Sequence, residues 1–275
     1  MKLIVRVLVI FAISYLLNAC GGDDRIADPM VTGANLFYGA KAKFSVGVTA
    51  IRSDLSLRVM GCPNLVRTAD RSKTEETFEC DVRTSGEIRF EGVDNTGTVV
   101  FSKSFLVPDP QVEISTSVGS FRVDLFPSRA PVTVDNFLAY VDEKFYEGLL
   151  VHRVIPNFVV QMGGFEPTMK LKEPTKNPIP LESNMGLSNL RGTLGMARVK
   201  DPSYNSATSQ FFVNLVDNKD LDYKSPTDPG YAIFGKVSSG MDLIDLIALR
   251  PTTTLETHQN VPVVDITILK TTRIR

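Results

Sequence analysis

Short runs in which apolar and polar residues alternate recur along this chain, separated by segments rich in Gly, Asn and Asp. They include KAKFSVGVTA at 41–50, LSLRVMGC at 55–62, GEIRFEGVD at 86–94 and TVVFSKSFLV at 98–107. A period of two places successive side chains on opposite faces of a strand, so one face can be buried while the other meets water. The 19 glycines and 16 prolines suit the turns between such strands. The sequence therefore predicts a mainly β protein.

Composition narrows the class of function. Hydrophobic residues make up 43% of the chain and charged residues 22%, which is ordinary for a packed globular protein and excludes wholesale disorder. Lys and Arg total 30 against 31 Asp and Glu, so a broad basic face for nucleic acid is not expected. Two histidines and three cysteines leave few ligands for a zinc site.

The N-terminus predicts export and a lipid anchor. Lys2 and Arg6 precede an apolar stretch over residues 7–17 that is too short to span a bilayer and is typical of a signal peptide. Leu17-Asn18-Ala19-Cys20 then resembles a bacterial lipoprotein signal, which implies removal of residues 1–19 and a lipidated Cys20 on a tether over 20–26. Gly21 in place of aspartate favours the outer membrane, with the protein facing the periplasm. The alternative is an ordinary secretory signal with a coincidental cysteine.

Residues 27–107 are predicted to form a small immunoglobulin-like β-sandwich, because short alternating strands recur there at regular spacing. Asn95-Thr96-Gly97 fits a hairpin turn within it. An exported protein meets an oxidising compartment, so Cys62 and Cys80 are expected to form a disulfide; a free buried pair is the alternative. This segment carries no chemical constellation, and Pro108-Asp109-Pro110 is the predicted linker after it.

Residues 111–275 carry both the second predicted unit and the motifs that bear on chemistry. Pro131 fits the first turn of a helix whose apolar stripe is Val134, Phe137, Leu138 and Val141. MDLIDLIALR at 241–250 predicts a second helix. Between them, the strand-like segment 150–165 carries a charged residue and an amide among apolar neighbours, and these polar side chains need partners if buried.

Four motifs follow one another through this unit: VHRVIPNFVVQMGG, RGTLGMAR, SQFFVN and GYAIFGKV. In that order they resemble the cyclophilins, specifically the bacterial exported type, over nearly all of 111–275. The resemblance implies a closed eight-stranded antiparallel β-barrel capped by two helices. It also implies peptidyl-prolyl cis-trans isomerase activity on proline-containing polypeptides, without a cofactor.

The resemblance also implies roles for individual residues. Arg153 would be the donor to the proline nitrogen, and Gln161 and Phe158 would complete the catalytic set. The implied substrate-binding residues are Val159, Ala197, Arg198, Phe212, Leu221 and Tyr231. Without the resemblance, Arg153 would be interpreted as a structural arginine in an ion pair and the apolar residues as core. Asp220 stands where eukaryotic members place a tryptophan, so weak cyclosporin binding is expected.

Three functions remain open from the sequence. The leading hypothesis is a lipid-anchored isomerase that accelerates X–Pro isomerisation during folding of exported proteins. The runner-up is a non-catalytic module that binds Pro-containing segments at the envelope. A third hypothesis makes the chain an envelope spacer in which the barrel is incidental. The arginine, the glutamine and the phenylalanines of the motifs favour the enzyme.

Overall fold

A computed structural model describes residues 30–275 except 48, 50, 52 and 200–202. The predicted signal peptide over 1–19, the lipidated Cys20, the tether over 20–26 and residues 27–29 lie outside the described residues. The described residues form 19 strands and two α-helices, so the mainly β prediction is confirmed. We call residues 30–107 the N-terminal unit and residues 111–275 the C-terminal unit.

The N-terminal unit consists of two antiparallel sheets. Its strands are β1 (Val31–Ala34), β2 (Lys41–Gly47), β3 (Ser56–Met60), β4 (Val66–Arg71), β5 (Glu75–Asp81), β6 (Gly86–Val93) and β7 (Val99–Val107). One sheet has the order β1-β2-β5-β4 and the other the order β3-β6-β7. Alternation buries Ala42, Phe44 and Val46 on one face of β2, against a core shared with the second sheet. The Phe44 and Phe90 rings meet across that core with centroids 5.3 Å apart.

Two local predictions for the N-terminal unit are confirmed. Cys62 and Cys80 form a disulfide whose Cα atoms are 5.6 Å apart, and both residues are buried in the core. The hairpin turn at 95–97 joins β6 to β7, and the Asp94 carboxylate accepts hydrogen bonds from the amides of Thr96 and Thr98. The disulfide therefore links the end of β3 in one sheet to β5 in the other.

The C-terminal unit contains both helices. Its strands are β8 (Gln111–Thr116), β9 (Gly119–Leu125), β10 (Val151–Ile155), β11 (Val159–Met162), β12 (Phe165–Glu166), β13 (Lys170–Leu171), β14 (Thr193–Met196), β15 (Phe211–Asn214), β16 (Ile233–Ser239), β17 (Thr252–Leu255), β18 (His258–Pro262) and β19 (Ile268–Arg273). The helices are α1 (Pro131–Asp142) and α2 (Met241–Ala248). β12 pairs with β13 and β17 with β18, and the other eight strands share one sheet.

That eight-stranded sheet is an open half-barrel, so the expectation of a closed barrel is wrong. Its order is β10-β11-β15-β14-β16-β9-β8-β19, which leaves β10 and β19 as edges. Instead of a continuous ladder, the two edges share one isolated bridge between Leu150 and Thr267. The amide of Val151 donates to the carbonyl of Ile266 at 2.8 Å beside that bridge. The two edge strands thus meet only at their ends.

The two helices cover the core of the half-barrel. The predicted stripe of Val134, Phe137, Leu138 and Val141 is buried on α1, as its spacing requires. The Glu182 carboxylate accepts hydrogen bonds from the amides of Val132 and Thr133, which satisfies donors that a helix N-terminus leaves free. Among the described residues, no helix combines the length and apolar character that crossing a bilayer requires.

One residue of the N-terminal unit belongs to the core of the C-terminal unit. Tyr38, between β1 and β2, is 2% exposed and packs with the buried residues of the half-barrel. Its hydroxyl donates to Asp135 on α1 at 2.8 Å, and its carbonyl accepts a hydrogen bond from Arg273. Burial, reinforced by the Asp135 carboxylate, raises the pKa of the Tyr38 phenol. The two units are therefore joined by a buried side chain as well as by the linker.

The predicted linker at 108–110 has no regular secondary structure. It is nevertheless hydrogen-bonded to the C-terminal unit. The amide of Leu125 donates to the carbonyl of Pro110, and Nε of Arg275 donates to the carbonyl of Asp109, both at 2.9 Å. The linker is therefore fixed along the half-barrel.

Candidate active site

A row of side chains crosses four neighbouring strands of the half-barrel. Arg153 on β10 pairs in register with Gln161 on β11, which pairs with Phe212 on β15, which pairs with Gly195 on β14. Directly opposed residues in antiparallel strands project to the same face, so these side chains are neighbours. Val154, the neighbour of Arg153 on β10, points into the core instead. The alternation that buries one face thus presents the row on the other.

Hydrogen bonds connect the polar half of this row. Nη1 of Arg153 donates to Oε1 of Gln161 at 3.2 Å. The Gln161 amide nitrogen then donates to the side-chain oxygen of Gln210 at 3.1 Å. Because Gln161 gives its oxygen to the arginine and its nitrogen to the second glutamine, its amide orientation is fixed from both sides.

A glycine makes room for the aromatic half of the row. A Cβ on Gly195 would lie 2.2 Å from the tip of the Phe212 ring, so any side chain there would collide with it. The tip of the Phe212 ring therefore occupies the space next to Gly195 on β14. Its neighbour Tyr231 contacts it edge to face, with centroids 5.6 Å apart and planes at 85°. These two rings form one wall of a pocket.

The pocket has a volume of about 270 Å³ and brings together every predicted catalytic and substrate-binding residue. Its lining residues are Arg153, Phe158, Val159, Gln161, Ala197, Arg198, Phe212, Leu221 and Tyr231. Both charged side chains in this set are arginines, and no carboxylate lines the pocket among the described residues. Arg153 also makes no ion pair in the described part of the chain, so its charge is not neutralised locally.

The loop after β10 and the turn before β16 complete the apolar side of the pocket. Phe158 follows Asn157, which adopts the left-handed conformation with φ of 57° that asparagine tolerates. The Phe158 carbonyl accepts hydrogen bonds from the Leu215 amide and the Asn218 side chain, both at 2.9 Å. These contacts fix the Phe158 backbone beside Val159, which is almost fully buried.

His152 precedes Arg153 on β10 and is buried, with its ring centroid 4.6 Å from that of Phe165. Burial lowers the pKa of its imidazole to about 4, and the nearby Arg153 adds to this effect. The imidazole is therefore neutral at pH 7. Its Nδ1 has no hydrogen-bond partner in the described part of the chain. His152 is not among the residues that line the pocket, so a buried, neutral imidazole there is interpreted as a structural residue.

A second pocket of about 250 Å³ adjoins the first. It shares Gln161, Ala197 and Arg198 with it, and Val199, Ser206, Thr208 and Gln210 complete its lining. The sequence interpretation did not assign Gln210 or Thr208. The available signal was the polar run SATSQ immediately before the apolar strand β15. Polar side chains next to a buried strand require hydrogen-bond partners, so such a run indicates a polar network.

Among the described residues, the others singled out in the sequence do not line the pocket. Cys62 and Cys80 are in the N-terminal unit, and Cys20 is outside the described residues. Asp220 is fully exposed next to the pocket residue Leu221, and weak cyclosporin binding stays a prediction. No group of three His, Cys, Asp or Glu side chains that could hold a metal ion occurs among the described residues.

This geometry suits binding and polarisation. An apolar slot can hold a compact ring, while a fixed guanidinium and an oriented amide can donate hydrogen bonds to it. The nine lining residues include no Ser, Cys, Asp, Glu, His or Lys, so they supply no paired nucleophile and base.

Comparison with known proteins agrees with this chemistry. The family model described as cyclophilin type peptidyl-prolyl cis-trans isomerase/CLD matches residues 111–273. A peptidyl-prolyl cis-trans isomerase of Acinetobacter baylyi is 52% identical over 151 residues, which are 55% of this chain and 78% of that protein. Peptidyl-prolyl cis-trans isomerase B of Escherichia coli is 46% identical over 159 residues, which are 57% of this chain and 95% of that protein.

Solved structures show the same likeness. A cyclophilin type peptidyl-prolyl cis-trans isomerase of Cryptosporidium parvum matches with a TM-score of 0.52 and 27% identity, over 61% of this chain and 98% of that one. The same protein in the presence of the dipeptide Ala-Pro matches with a TM-score of 0.51 and 28% identity, over 60% and 99% of the two chains. The pocket geometry, the family match and these relatives together place this chain in the cyclophilin family, as a cyclophilin-type peptidyl-prolyl cis-trans isomerase.

Proposed function

We propose that this isomerase lowers the barrier to X–Pro rotation by placing the Arg153 guanidinium beside the proline nitrogen. Amide resonance sets that barrier at about 18–20 kcal/mol. A donor at the nitrogen draws the lone pair away from the carbonyl and weakens the partial double bond. No bond is made or broken, so no nucleophile or general base is needed. The observation that carries the proposal is an arginine that has no carboxylate partner among the described residues and lies at an apolar pocket.

Gln161 orients the arginine in this mechanism. The Arg153–Gln161 hydrogen bond uses a neutral acceptor, which holds the guanidinium without cancelling its charge. A carboxylate in that place would neutralise the charge before the substrate arrived. Gln161 thus provides geometry and leaves the charge for the transition state.

The apolar side chains hold the proline ring while the carbonyl side of the bond turns. Phe158, Val159, Phe212 and Leu221 supply this surface, and Tyr231 packs against Phe212. Ala197 and Arg198 line the strand along which the peptide lies. The substrates are proline-containing polypeptides, in keeping with the Ala-Pro dipeptide named for the Cryptosporidium parvum structure.

We propose that the protein works at the bacterial cell envelope on exported clients. The support is the lipoprotein-like sequence that ends at Cys20, with Gly21 favouring the outer membrane and a periplasm-facing enzyme. Mass analysis of the mature N-terminus tests this proposal. A chain that begins at a lipid-modified Cys20 is expected, and an unmodified cysteine would remove the anchor.

The N-terminal unit is proposed to be an immunoglobulin-like sandwich. The support is its strand order, since β1-β2-β5-β4 and β3-β6-β7 match the ABED and CFG sheets of constant-type domains. Its disulfide joins the end of the third strand to the fifth instead of the usual second and sixth, so it differs from antibody domains in that respect.

A cis–trans peptide assay on wild type, Arg153→Ala and Arg153→Lys tests the mechanism. Losing one preorganised donor costs roughly 10²–10³ in rate, and Lys lacks the planar fork, so both variants are expected to lose most of the activity. Arg122→Ala is the matched control. Arg122 on β9 forms a half-exposed ion pair with Glu113 on β8, and neither residue lines the pocket. Equal activity in wild type and Arg153→Ala would refute the role of Arg153.

A further inference from the structure

We propose that Arg198 is a positioning residue that holds one wall of the proline pocket in place. The inference rests on the proposed assignment of that pocket. Arg198 follows β14, while Leu221 and Tyr231 belong to the segment that leads into β16, the strand paired with β14. The Arg198 side chain crosses between these two elements. Its role is therefore to set the separation of the walls.

The guanidinium makes a two-point contact with a single carbonyl. Nε and Nη2 of Arg198 both donate to the carbonyl oxygen of Gly230, at 2.9 and 2.7 Å. A planar fork with two parallel donors fixes both the position and the direction of its acceptor. Lysine, with one ammonium on a flexible stem, cannot reproduce that contact.

The Gly230 backbone packs directly against the backbone of the pocket residue Leu221. A Cβ at Gly230 would lie 2.4 Å from the carbonyl oxygen of Leu221, so the two backbone segments are in close contact there. The amide of Tyr231 donates to the same Leu221 carbonyl at 3.0 Å. Fixing the Gly230 carbonyl therefore fixes Leu221 and Tyr231 together.

Two tyrosine rings make cation–π contacts with the Arg198 guanidinium. The Arg198 Cζ lies 5.0 Å from the ring centroid of Tyr204 and 4.8 Å from that of Tyr231. The Tyr204 hydroxyl donates to the carbonyl of Thr227 at 2.9 Å, which ties the same segment a second time. We call Arg198, Tyr204, Gly230 and Tyr231 the Arg198 cluster. Half-buried cation–π contacts of this kind favour one orientation of the arginine.

This arrangement separates the roles of the two arginines in the pocket. Arg153 has spare donors and a neutral partner, so it can act on the reacting bond. Two donors of Arg198 are already occupied by Gly230, so its contribution is the shape of the pocket. A wall that grips the proline ring equally in the ground state and the transition state affects KM more than kcat.

Full kinetics of Arg198→Ala, Arg198→Lys and Tyr204→Leu, measured over a range of proline peptide concentrations, test the inference. Losing a charged two-point hydrogen bond is expected to raise KM about tenfold in Arg198→Ala, with kcat changed less than about twofold. Arg198→Lys should recover little of this loss. Tyr204→Leu removes one cation–π contact and the hydrogen bond to Thr227, and should raise KM by about threefold. Arg122→Lys, at an exposed ion pair away from the pocket, is the matched control.

Three results would overturn the inference: unchanged KM in Arg198→Ala, wild-type kinetics in Arg198→Lys, or a fall in kcat at constant KM. Should Arg198→Ala fail to fold, Arg198→Lys and Tyr204→Leu decide the matter alone. Phe212→Ala separates this inference from the pocket assignment. If Phe212→Ala has wild-type kinetics, the pocket itself is misassigned. If Phe212→Ala is impaired while the Arg198 variants are normal, only the role of Arg198 is refuted.

Discussion

Both units of this protein place an arginine beside a cavity, but among the described residues Arg67 of the N-terminal unit has an ion-pair partner and Arg153 of the C-terminal unit has none. The cavity of the N-terminal unit is the larger, at about 520 Å³, and is lined by Ile51, Ser53, Leu55, Leu57, Leu65, Arg67, Glu76 and Phe78. There Arg67 pairs with Glu76 at 2.9 Å. In the smaller isomerase pocket, Arg153 meets the neutral Gln161 instead. Available charge, more than volume, therefore distinguishes the proposed active site from the cavity of the N-terminal unit.

The units also differ in how they are stabilised. The core of the N-terminal unit is small and carries a disulfide, whereas the C-terminal unit has a larger core centred on Phe137 and no disulfide among its residues. The Phe137 ring lies 5.2 Å from each of the Phe211 and Phe234 rings. Small cores commonly need such a covalent link. This contrast leads to predictions that treat the two units separately.

The largest expected effect is on the stability of the N-terminal unit. Replacing Cys62 and Cys80 by Ala should lower its free energy of unfolding by about 3 kcal/mol, since an 18-residue separation closes a loop of intermediate size. Isomerase activity at 25 °C should not change. Thermal unfolding and a peptide assay on the same samples measure both quantities. A loss of activity without unfolding would show that the two units are coupled functionally.

The next prediction gives Arg153 the kind of partner that Arg67 has. Gln161→Glu should lower kcat/KM about 100-fold, because the new carboxylate neutralises the guanidinium and occupies its donors. Glu76→Gln, the reverse change in the larger cavity, is the control and should leave kcat/KM unchanged. Activity retained in Gln161→Glu would contradict the idea that a charge free of ion pairing is required.

A third prediction concerns pH and distinguishes the C-terminal unit. Burial lowers the pKa of His152 to about 4 from its ordinary value of about 6.5. Between about pH 6.5 and about pH 4, the imidazole is therefore protonated in the unfolded chain and neutral in the native chain. Stability should therefore fall as the pH falls from about 6.5 toward 4, by about 2 kcal/mol between pH 7 and pH 5. Denaturant unfolding at several pH values measures this fall. His152→Gln should remove it, and His258→Gln is the matched control that should not.

The smallest expected effect tests whether Tyr38 of the N-terminal unit stabilises the C-terminal unit. Tyr38→Phe keeps the buried ring but removes the hydroxyl that donates to Asp135, so it should cost about 1 kcal/mol in the unfolding of the C-terminal unit. Tyr223→Phe, at an exposed tyrosine, should cost nothing measurable. Hydrogen exchange of α1 amides reports the change locally. No effect on α1 would mean that Tyr38 does not stabilise this unit.

Sequence patterns predicted the elements whose apolar periodicity is uninterrupted. The stripe on α1 and the strands β2, β3, β6 and β7 are of this kind. The strand β5 was not predicted, because Glu75, Glu76 and Glu79 surround Phe78 and Cys80 and hide the alternation. The short β4 contains a single large apolar residue, Val66, and gave no signal. Strands rich in charged residues, whether central like β5 or at the sheet edge like β4, are thus the elements that periodicity misses.

The pocket residues were predicted from motifs, and their arrangement was not. Nothing local indicates that Gly195 lies under Phe212, since this follows from the pairing of β14 with β15. The partner of Gln161, Gln210, likewise depends on strand register. The open edge between β10 and β19 depends on how far two distant strands overlap. Long-range pairing decides these features, and residue spacing along the chain does not encode it directly.

The position of Tyr38 has a consequence for how this molecule can be divided. A fragment that starts at residue 111 would contain every motif residue of the enzyme, yet it would lack the phenol ring that fills a hole beside α1. The isolated C-terminal unit would have a cavity where the Tyr38 ring packs. The isolated N-terminal unit would expose the Tyr38 ring to water. A mutation on either side of the contact between Tyr38 and the C-terminal unit is therefore expected to destabilise both units.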